Sequence, residues 1–210
     1  MTATPYLEVE LRYKINDVPA ALGRLRTQGM SVARTEHLID EWFLPNTIAS
    51  LEEEQQWFDG DRGIAWRIRR SEKDGKSKLE VGSKQLTEDM NHNSFHETTA
   101  DCATYEDALQ AMQQRSYKNW LTIDKTRYFL ASSNNVIPAS EFELVIDDIA
   151  GLAAKIGVGA CLEIEYKGAA DRAEALERIA GVAKLLGFTA DDQIEKSLTV
   201  LSMTALARFE

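Results

Sequence analysis

The feature that most constrains the fold is LEVELRYKI, residues 7–15, in which apolar and charged residues alternate. Side chains of a β-strand point alternately to its two faces, so this segment predicts a strand with one apolar and one charged face. Glu8, Glu10 and Arg12 share the charged face. Polar strand faces normally meet water. The remaining strands indicate whether this face is such a solvent face or part of a binding site.

Like charges recur two residues apart in three further predicted strands: Arg67 and Arg69 in WRIR, Lys125 and Arg127 in IDKTRYF, and Glu163 and Glu165 in LEIEY. Neighbouring like charges cost free energy unless opposite charges lie among them. Four such strands favour a barrel whose charged faces line the interior, which in eight-stranded barrels can hold one small ligand. Basic groups bind phosphate oxygens and carboxylates bind Mg²⁺ or Mn²⁺, so the expected ligand is a polyphosphate with divalent cations.

The order of predicted elements defines an α+β fold class, a closed antiparallel eight-stranded β-barrel (tunnel) with helices packed outside. No repeat or linker interrupts the chain, so we expect a single domain over residues 1–210. A helix capped by Asn16 or Asp17 follows the first strand, and two more helices are predicted over about 170–187 and about 191–206. The turn-rich segment PNTIASLEEEQQWFDGDRG is predicted to be a polar surface excursion in which the acidic run Glu52 to Glu54 is solvated.

Bulk properties exclude some classes of function. The formal net charge of -10 makes duplex nucleic acid a poor partner. No apolar run approaches the roughly 20 residues that span a bilayer, and the N-terminus lacks a secretory pattern, so we expect a cytoplasmic protein without a membrane partner. Cys102 and Cys161 match no metal spacing and are interpreted as free thiols, with a disulfide as the alternative. The oligomeric state is left open, with a homodimer as one option.

These motifs carry a family resemblance along nearly the whole chain. LEVELRYKI resembles the E-x-E-x-K opening of the CYTH superfamily, the triphosphate tunnel metalloenzymes, which include class IV adenylate cyclases, thiamine triphosphatases and inorganic triphosphatases. Next in order, GIAWRIRR is similar to the L-R-x-R strand of that family, LEVGSKQL to its lysine strand and SFHETT to its acidic strand. IDKTRYF then resembles the K-x-R strand, and VIDDIAGL with CLEIEY resembles the D-x-x-x-G-L … E-I-E ending.

The resemblance implies residue roles, a Mg²⁺ or Mn²⁺ cofactor and a small-molecule triphosphate partner. The implied metal ligands are Glu8, Glu10, Glu97, Asp147, Glu163 and Glu165. The implied triphosphate-binding residues are Arg12, Arg67, Arg69, Lys84, Lys125 and Arg127. Glu8, Glu10, Arg12 and Lys84 are the candidate catalytic residues. Phosphoryl transfer needs mainly positioning and charge neutralisation, so this set can suffice without a covalent nucleophile.

Several alternatives stay open at the level of sequence. Arg12 stands where the family has Lys, and Asp147 is preferred to Asp148 only because it shares strand parity with Glu143. The four tryptophans, Trp42 among them, are interpreted as packing residues. The resemblance favours a metal-dependent triphosphatase acting on inorganic tripolyphosphate, a nucleoside triphosphate or thiamine triphosphate. A class IV adenylate cyclase that makes cyclic AMP and pyrophosphate is the first alternative, and a non-catalytic polyphosphate-binding module is the second.

Overall fold

A computed structural model describes residues 6–73, 75–88, 91–133, 136–168, 170–196 and 198–206. The strands are β1 Tyr6–Ile15, β2 Met30–Pro45, β3 Ala65–Lys73, β4 Lys76–Leu86, β5 Ser94–Asp101, β6 Tyr117–Ser132, β7 Phe142–Ile149, β8 Ala160–Tyr166 and β9 Gln193–Ile194. The α-helices are α1 Val18–Thr27, α2 Leu51–Gln55, α3 Tyr105–Gln114, α4 Leu152–Ile156, α5 Arg172–Leu185 and α6 Leu198–Leu206. The element order agrees with the alternation of period-two and helical patterns in the sequence.

The strands form one sheet in the order β5-β4-β3-β2-β6-β7-β8-β1-β9. An additional pairing joins β5 to β1, so β1 to β8 close into an antiparallel eight-stranded barrel with helices outside. The predicted fold class is therefore confirmed. Closure also removes the unpaired strand edges that an open sheet of this size would expose.

The chain divides into two compact units, each described here by itself. The second unit comprises Glu8–Glu36 and Lys125–Ser197. Its core is the apolar face of β1, β7 and β8, packed under α1 and α5 through residues such as Leu11, Leu25 and Ile179. The Asp17 carboxylate accepts a hydrogen bond from the Ala20 N–H at 2.8 Å and caps α1. Helices thus cover the apolar face and leave the charged face of the same strands on the opposite side.

The first unit is built on His37–Asp124 together with α6. The apolar face of β3 and β4 packs against α3, where Ile68 and Val81 contact Ala108 and Met112. The Thr104 hydroxyl accepts a hydrogen bond from the Asp107 N–H and caps α3. Here too the apolar strand face is covered by a helix. The prediction of a single domain over residues 1–210 stays a prediction.

The segment predicted to be a polar surface excursion is more ordered than expected. Ser50 caps α2, and a π-helical turn, Gln56–Gly60, follows it directly. The prediction that Glu52 to Glu54 are all solvated is wrong, since Glu54 is fully buried. A one-turn helix turns one residue of any consecutive run toward the protein, and here that residue is acidic.

Two further sequence predictions bear on the chemistry available to the chain. Cys102 and Cys161 are both free, as expected. Burial raises the pKa of the Cys161 thiol well above its ordinary value, so that the thiol is protonated at neutral pH. Within the described ranges, none of the helices combines the length and apolar character needed to cross a membrane.

Candidate active site

In the second unit, strand register places the predicted acidic and basic residues on one face. Directly opposite residues of paired strands share a face, and β1 pairs with β8 so that Arg12 faces Glu163. β6 pairs with β7 so that Arg127 faces Asp147. We call the predicted site residues of this face the Asp147 cluster; it consists of Glu8, Glu10, Arg12, Lys125, Arg127, Asp147, Glu163 and Glu165.

Asp147 is the most heavily bonded member of the Asp147 cluster. It accepts two hydrogen bonds from Arg127, at 2.6 and 2.7 Å, and one from the Lys125 ammonium at 2.7 Å. Burial alone would raise the pKa of this carboxyl, but the charges of Arg127 and Lys125 outweigh it and hold the pKa well below its usual range. Asp147 is therefore ionised at all physiological pH values. Asp148 belongs to the opposite face of β7.

Glu10 and Arg12 form an ion pair that is almost completely buried, with side chains 0% and 2% exposed. Arg12 Nε lies 3.3 Å from a carboxylate oxygen of Glu163, and Arg127 Nη2 lies 3.5 Å from the other. Glu163 therefore joins the β1 and β6 bases. Glu165 stands directly opposite Glu10 in the β1–β8 register, which places two carboxylates side by side.

In the first unit, a second set of ionic residues shares the face of β2 to β5 opposite α3. We call it the Arg67 cluster; it consists of Asp40, Arg67, Arg69, Lys84 and Glu97. Arg67 Nη2 donates to Glu97 Oε1 at 3.0 Å, and Lys84 Nζ lies 3.7 Å from Glu97 Oε2. Arg69 donates two parallel hydrogen bonds to Asp40, at 2.6 and 2.7 Å. Guanidinium groups, which here are held by carboxylates, are common partners of phosphate oxygens.

Asp40 is a functional candidate that the sequence analysis missed. It is 1% exposed and fixes Arg69 by a bidentate contact. Its strand has adjacent acids, Asp40 and Glu41, rather than like charges two apart, so the pattern that identified the other strands is absent. Asp40 could have been identified by its shared parity with Trp42 together with the register of β2 against β3. That register cannot be read from one strand alone.

Glycine on β4 permits a close approach to the backbone of β5 beside Arg67. Gly82 stands directly opposite Arg67 in the β3–β4 register. A Cβ added to Gly82 would lie 2.6 Å from the Thr98 carbonyl oxygen and 3.7 Å from Arg67 Nη2. The first distance is far below any normal contact, so the strands approach here more closely than another residue would permit.

Every predicted site residue is on a charged strand face, and the two sets differ in composition. The Asp147 cluster contains the predicted metal ligands except Glu97 and three of the six predicted phosphate-binding bases, and the Arg67 cluster contains the other three bases. Carboxylate oxygens are the ligands that Mg²⁺ and Mn²⁺ prefer, and the adjacent Glu10 and Glu165 suit such an ion chemically. Over the part of the chain described, no three His, Cys, Asp or Glu side chains are already grouped as a metal site.

The closed eight-stranded barrel with helices outside is the architecture of the CYTH, or triphosphate tunnel, fold. A Pyrococcus horikoshii protein is similar to this chain with 18% identity and a TM-score of 0.71, over 94% of this chain and 98% of the other. A candidate adenylate cyclase from Vibrio parahaemolyticus has 15% identity and a TM-score of 0.67, over 94% and 98%. A Hippeastrum protein, a candidate adenylyl cyclase with a dominant triphosphatase activity, has 12% identity and a TM-score of 0.51, over 96% of each chain.

Because the identities are low, these likenesses establish the fold alone. No family model matches the chain, and no curated protein matches it in sequence. The reaction must therefore be inferred from the side chains.

Proposed function

We propose that this chain is a metal-dependent enzyme that processes a triphosphate, with hydrolysis as its reaction. The observation that carries the proposal is the burial of ionic side chains on strand faces, where water-facing polar residues are the norm. Arg67 is 8% exposed and Lys125 7%, although both are long cations. Burying such charges costs free energy that ion pairing often does not repay, so their burial is better explained by ligand binding than by stability.

The bases of both clusters would bind phosphate oxygens. Arg67, Arg69 and Arg127 present planar forks that match two oxygens at once, whereas Lys84 and Lys125 act as point charges. Glu8, Glu10 and Glu165 would hold Mg²⁺ or Mn²⁺, with Glu163, Asp147 and Glu97 as further candidates. When bound, the divalent cation neutralises phosphate charge and lowers the pKa of water.

Two reactions are compatible with this set of residues. In hydrolysis, water attacks a phosphorus atom, a new P–O bond forms, and the bond to the bridging oxygen breaks. In cyclisation, the ribose 3′-hydroxyl attacks the α-phosphorus and pyrophosphate leaves. Both need the same neutralised and positioned phosphate chain. We place hydrolysis first because the Hippeastrum protein of the same fold has a dominant triphosphatase activity even though it is a candidate cyclase.

A substrate panel tests the proposal directly. The protein is incubated with ATP, GTP, thiamine triphosphate or tripolyphosphate, with Mg²⁺ or Mn²⁺, and the products are identified. Orthophosphate from any of them supports hydrolysis, whereas cyclic AMP with pyrophosphate from ATP identifies the cyclase alternative. Tight tripolyphosphate binding without product under every metal condition would identify the non-catalytic binding module instead.

Two substitutions separate the roles of acids and bases. Glu8→Gln removes a candidate metal ligand, so turnover should be lost while metal-free tripolyphosphate binding is retained. Arg67→Ala removes a hydrogen-bond donor to the phosphate oxygens and should weaken tripolyphosphate binding itself. Arg70→Ala is the matched control for Arg67→Ala, because Arg70 belongs to the opposite face of β3, is about half exposed and pairs with Glu41. Normal turnover in both Glu8→Gln and Arg67→Ala would show that the site residues are assigned wrongly.

A further inference from the structure

Trp42 is an aromatic residue on the charged face of the first unit. Trp42 stands two residues after Asp40 on β2 and directly opposite Arg67 on β3. Its side chain is 4% exposed, and the guanidinium carbon of Arg67 lies 5.4 Å from the centre of its ring. Trp66, by contrast, belongs to the opposite face of β3 and packs with the α3 core. Trp42 is therefore set apart from ordinary packing by its position among ionic side chains.

The indole N–H of Trp42 is buried and has no hydrogen-bond partner. Buried donors are nearly always paired, so each exception calls for an explanation. An indole N–H can only donate a hydrogen bond, so its missing partner must be an acceptor. On the same strand face, the carboxylates of Asp40 and Glu97 accept hydrogen bonds from Arg69 and Arg67. The missing acceptor is then best supplied from outside the protein.

We propose that Trp42 is a substrate-binding residue whose indole N–H donates to a phosphate oxygen of the bound triphosphate, beside the Arg67 guanidinium. This inference rests on the proposed function. A phosphate oxygen is the fitting acceptor because it is anionic and accepts from several donors at once, including guanidinium groups. Arg67 lies over one face of the Trp42 ring, so the proposed contact is made by the N–H edge and not by stacking on that face.

The proposed contact predicts how the contribution of Trp42 depends on the ligand. A donor to the phosphate chain contributes equally whether or not an organic group is attached, so inorganic tripolyphosphate should gain as much from Trp42 as ATP does. A residue that stacked on a base or a thiazolium ring would favour only the organic substrates. The two roles therefore predict different results with the same pair of ligands.

The first test observes the indole N–H in the unmodified protein. Four tryptophans give four indole signals in a ¹⁵N–¹H correlation spectrum, and single Trp→Phe variants assign them. Saturating tripolyphosphate without divalent cation should shift the Trp42 signal downfield and slow its exchange with water, with little change at Trp66. A Trp42 signal that does not move at saturation overturns the inference.

The second test measures affinity by titration calorimetry for Trp42→Phe, with Trp66→Phe as the control. Loss of a hydrogen bond to a charged acceptor should weaken tripolyphosphate and ATP binding alike, by roughly tenfold, while Trp66→Phe stays near wild type. A loss confined to ATP, or an equal loss in both variants, overturns the inference. If Trp42→Phe does not fold, the spectrum of the unmodified protein decides. Wild-type protein that binds neither tripolyphosphate nor ATP would instead refute the proposed function itself.

Discussion

Glu54 offers a sharp test of the packing in the first unit. It is fully buried in α2, and neither carboxylate oxygen has a hydrogen-bond partner. Burial, with a smaller contribution from the charge of Asp59, raises the pKa of this carboxyl from 4.5 to about 8. At neutral pH the folded chain therefore keeps the proton on Glu54, while the unfolded chain releases it.

The sign and size of the effect follow from proton linkage. The folded state binds one more proton than the unfolded state between pH 4.5 and about 8, so stability falls as the pH rises through this window. At ~1.4 kcal/mol per pH unit, Glu54 lowers the free energy of unfolding by ~5 kcal/mol across the window and by ~3 kcal/mol at pH 7. Glu54→Gln is a neutral substitute of the same shape and should abolish this dependence.

The assay is urea denaturation followed by circular dichroism at several pH values between 4.5 and 9. Glu54→Gln should match wild type near pH 4.5 and exceed its stability increasingly as the pH rises. Glu52→Gln is the matched control, because Glu52 is exposed in the same helix and should leave the wild-type pH dependence in place. Parallel pH profiles for wild type and Glu54→Gln would refute the reasoning, since they would mean that Glu54 ionises as readily in the folded chain as in water.

Two further predictions concern the candidate site. Asp147→Asn leaves the Lys125 and Arg127 charges buried without their shared carboxylate. It should therefore lower the free energy of unfolding, measured by urea denaturation, by about 3–5 kcal/mol. A loss no larger than that of Asp148→Asn would contradict the paired geometry. Gly82→Ala places a Cβ 2.6 Å from the Thr98 carbonyl oxygen and should cost about 1–3 kcal/mol and weaken tripolyphosphate binding. Gly181→Ala is its control, since a Cβ there meets nothing within 4 Å on α5, and a similar loss in both variants would argue against a specific clash.

The sequence predicts the strands well because a period of two is a local property. Residues 7–15 alternate in charge, and the structure has β1 over Tyr6–Ile15. The same parity places Asp147, and not Asp148, on the face of Glu163. The prediction of a helix over about 191–206 is wrong in its first part, since Gln193–Ile194 form β9 and α6 begins at Leu198. A two-residue strand shows no period and is defined only by its pairing with β1.

The segment after β2 shows where local reasoning stops. Ser50 is followed three residues later by Glu53, which is a capping signal for α2 that the composition of the segment obscured. The burial of Glu54 had no such signal, because three consecutive glutamates look equally solvated in sequence. The partner of Arg69 was also hidden, since Asp40 is identified only by the register of β2 against β3.

The ion pairs of the two clusters are better explained by ligand exchange than by stability. Replacing buried ion pairs with apolar residues is often neutral or stabilising, so the bonds of Arg69 to Asp40 and of Arg127 to Asp147 are a poor way to hold a fold together. They do keep each guanidinium ordered, which reduces the entropy lost when a phosphate binds. When a phosphate oxygen replaces the carboxylate as the partner of an arginine, the carboxylate becomes available as a ligand for a divalent cation. Phosphate and metal binding should therefore reinforce one another, so tripolyphosphate affinity measured by calorimetry should rise with Mg²⁺ in wild type and rise less in Glu8→Gln.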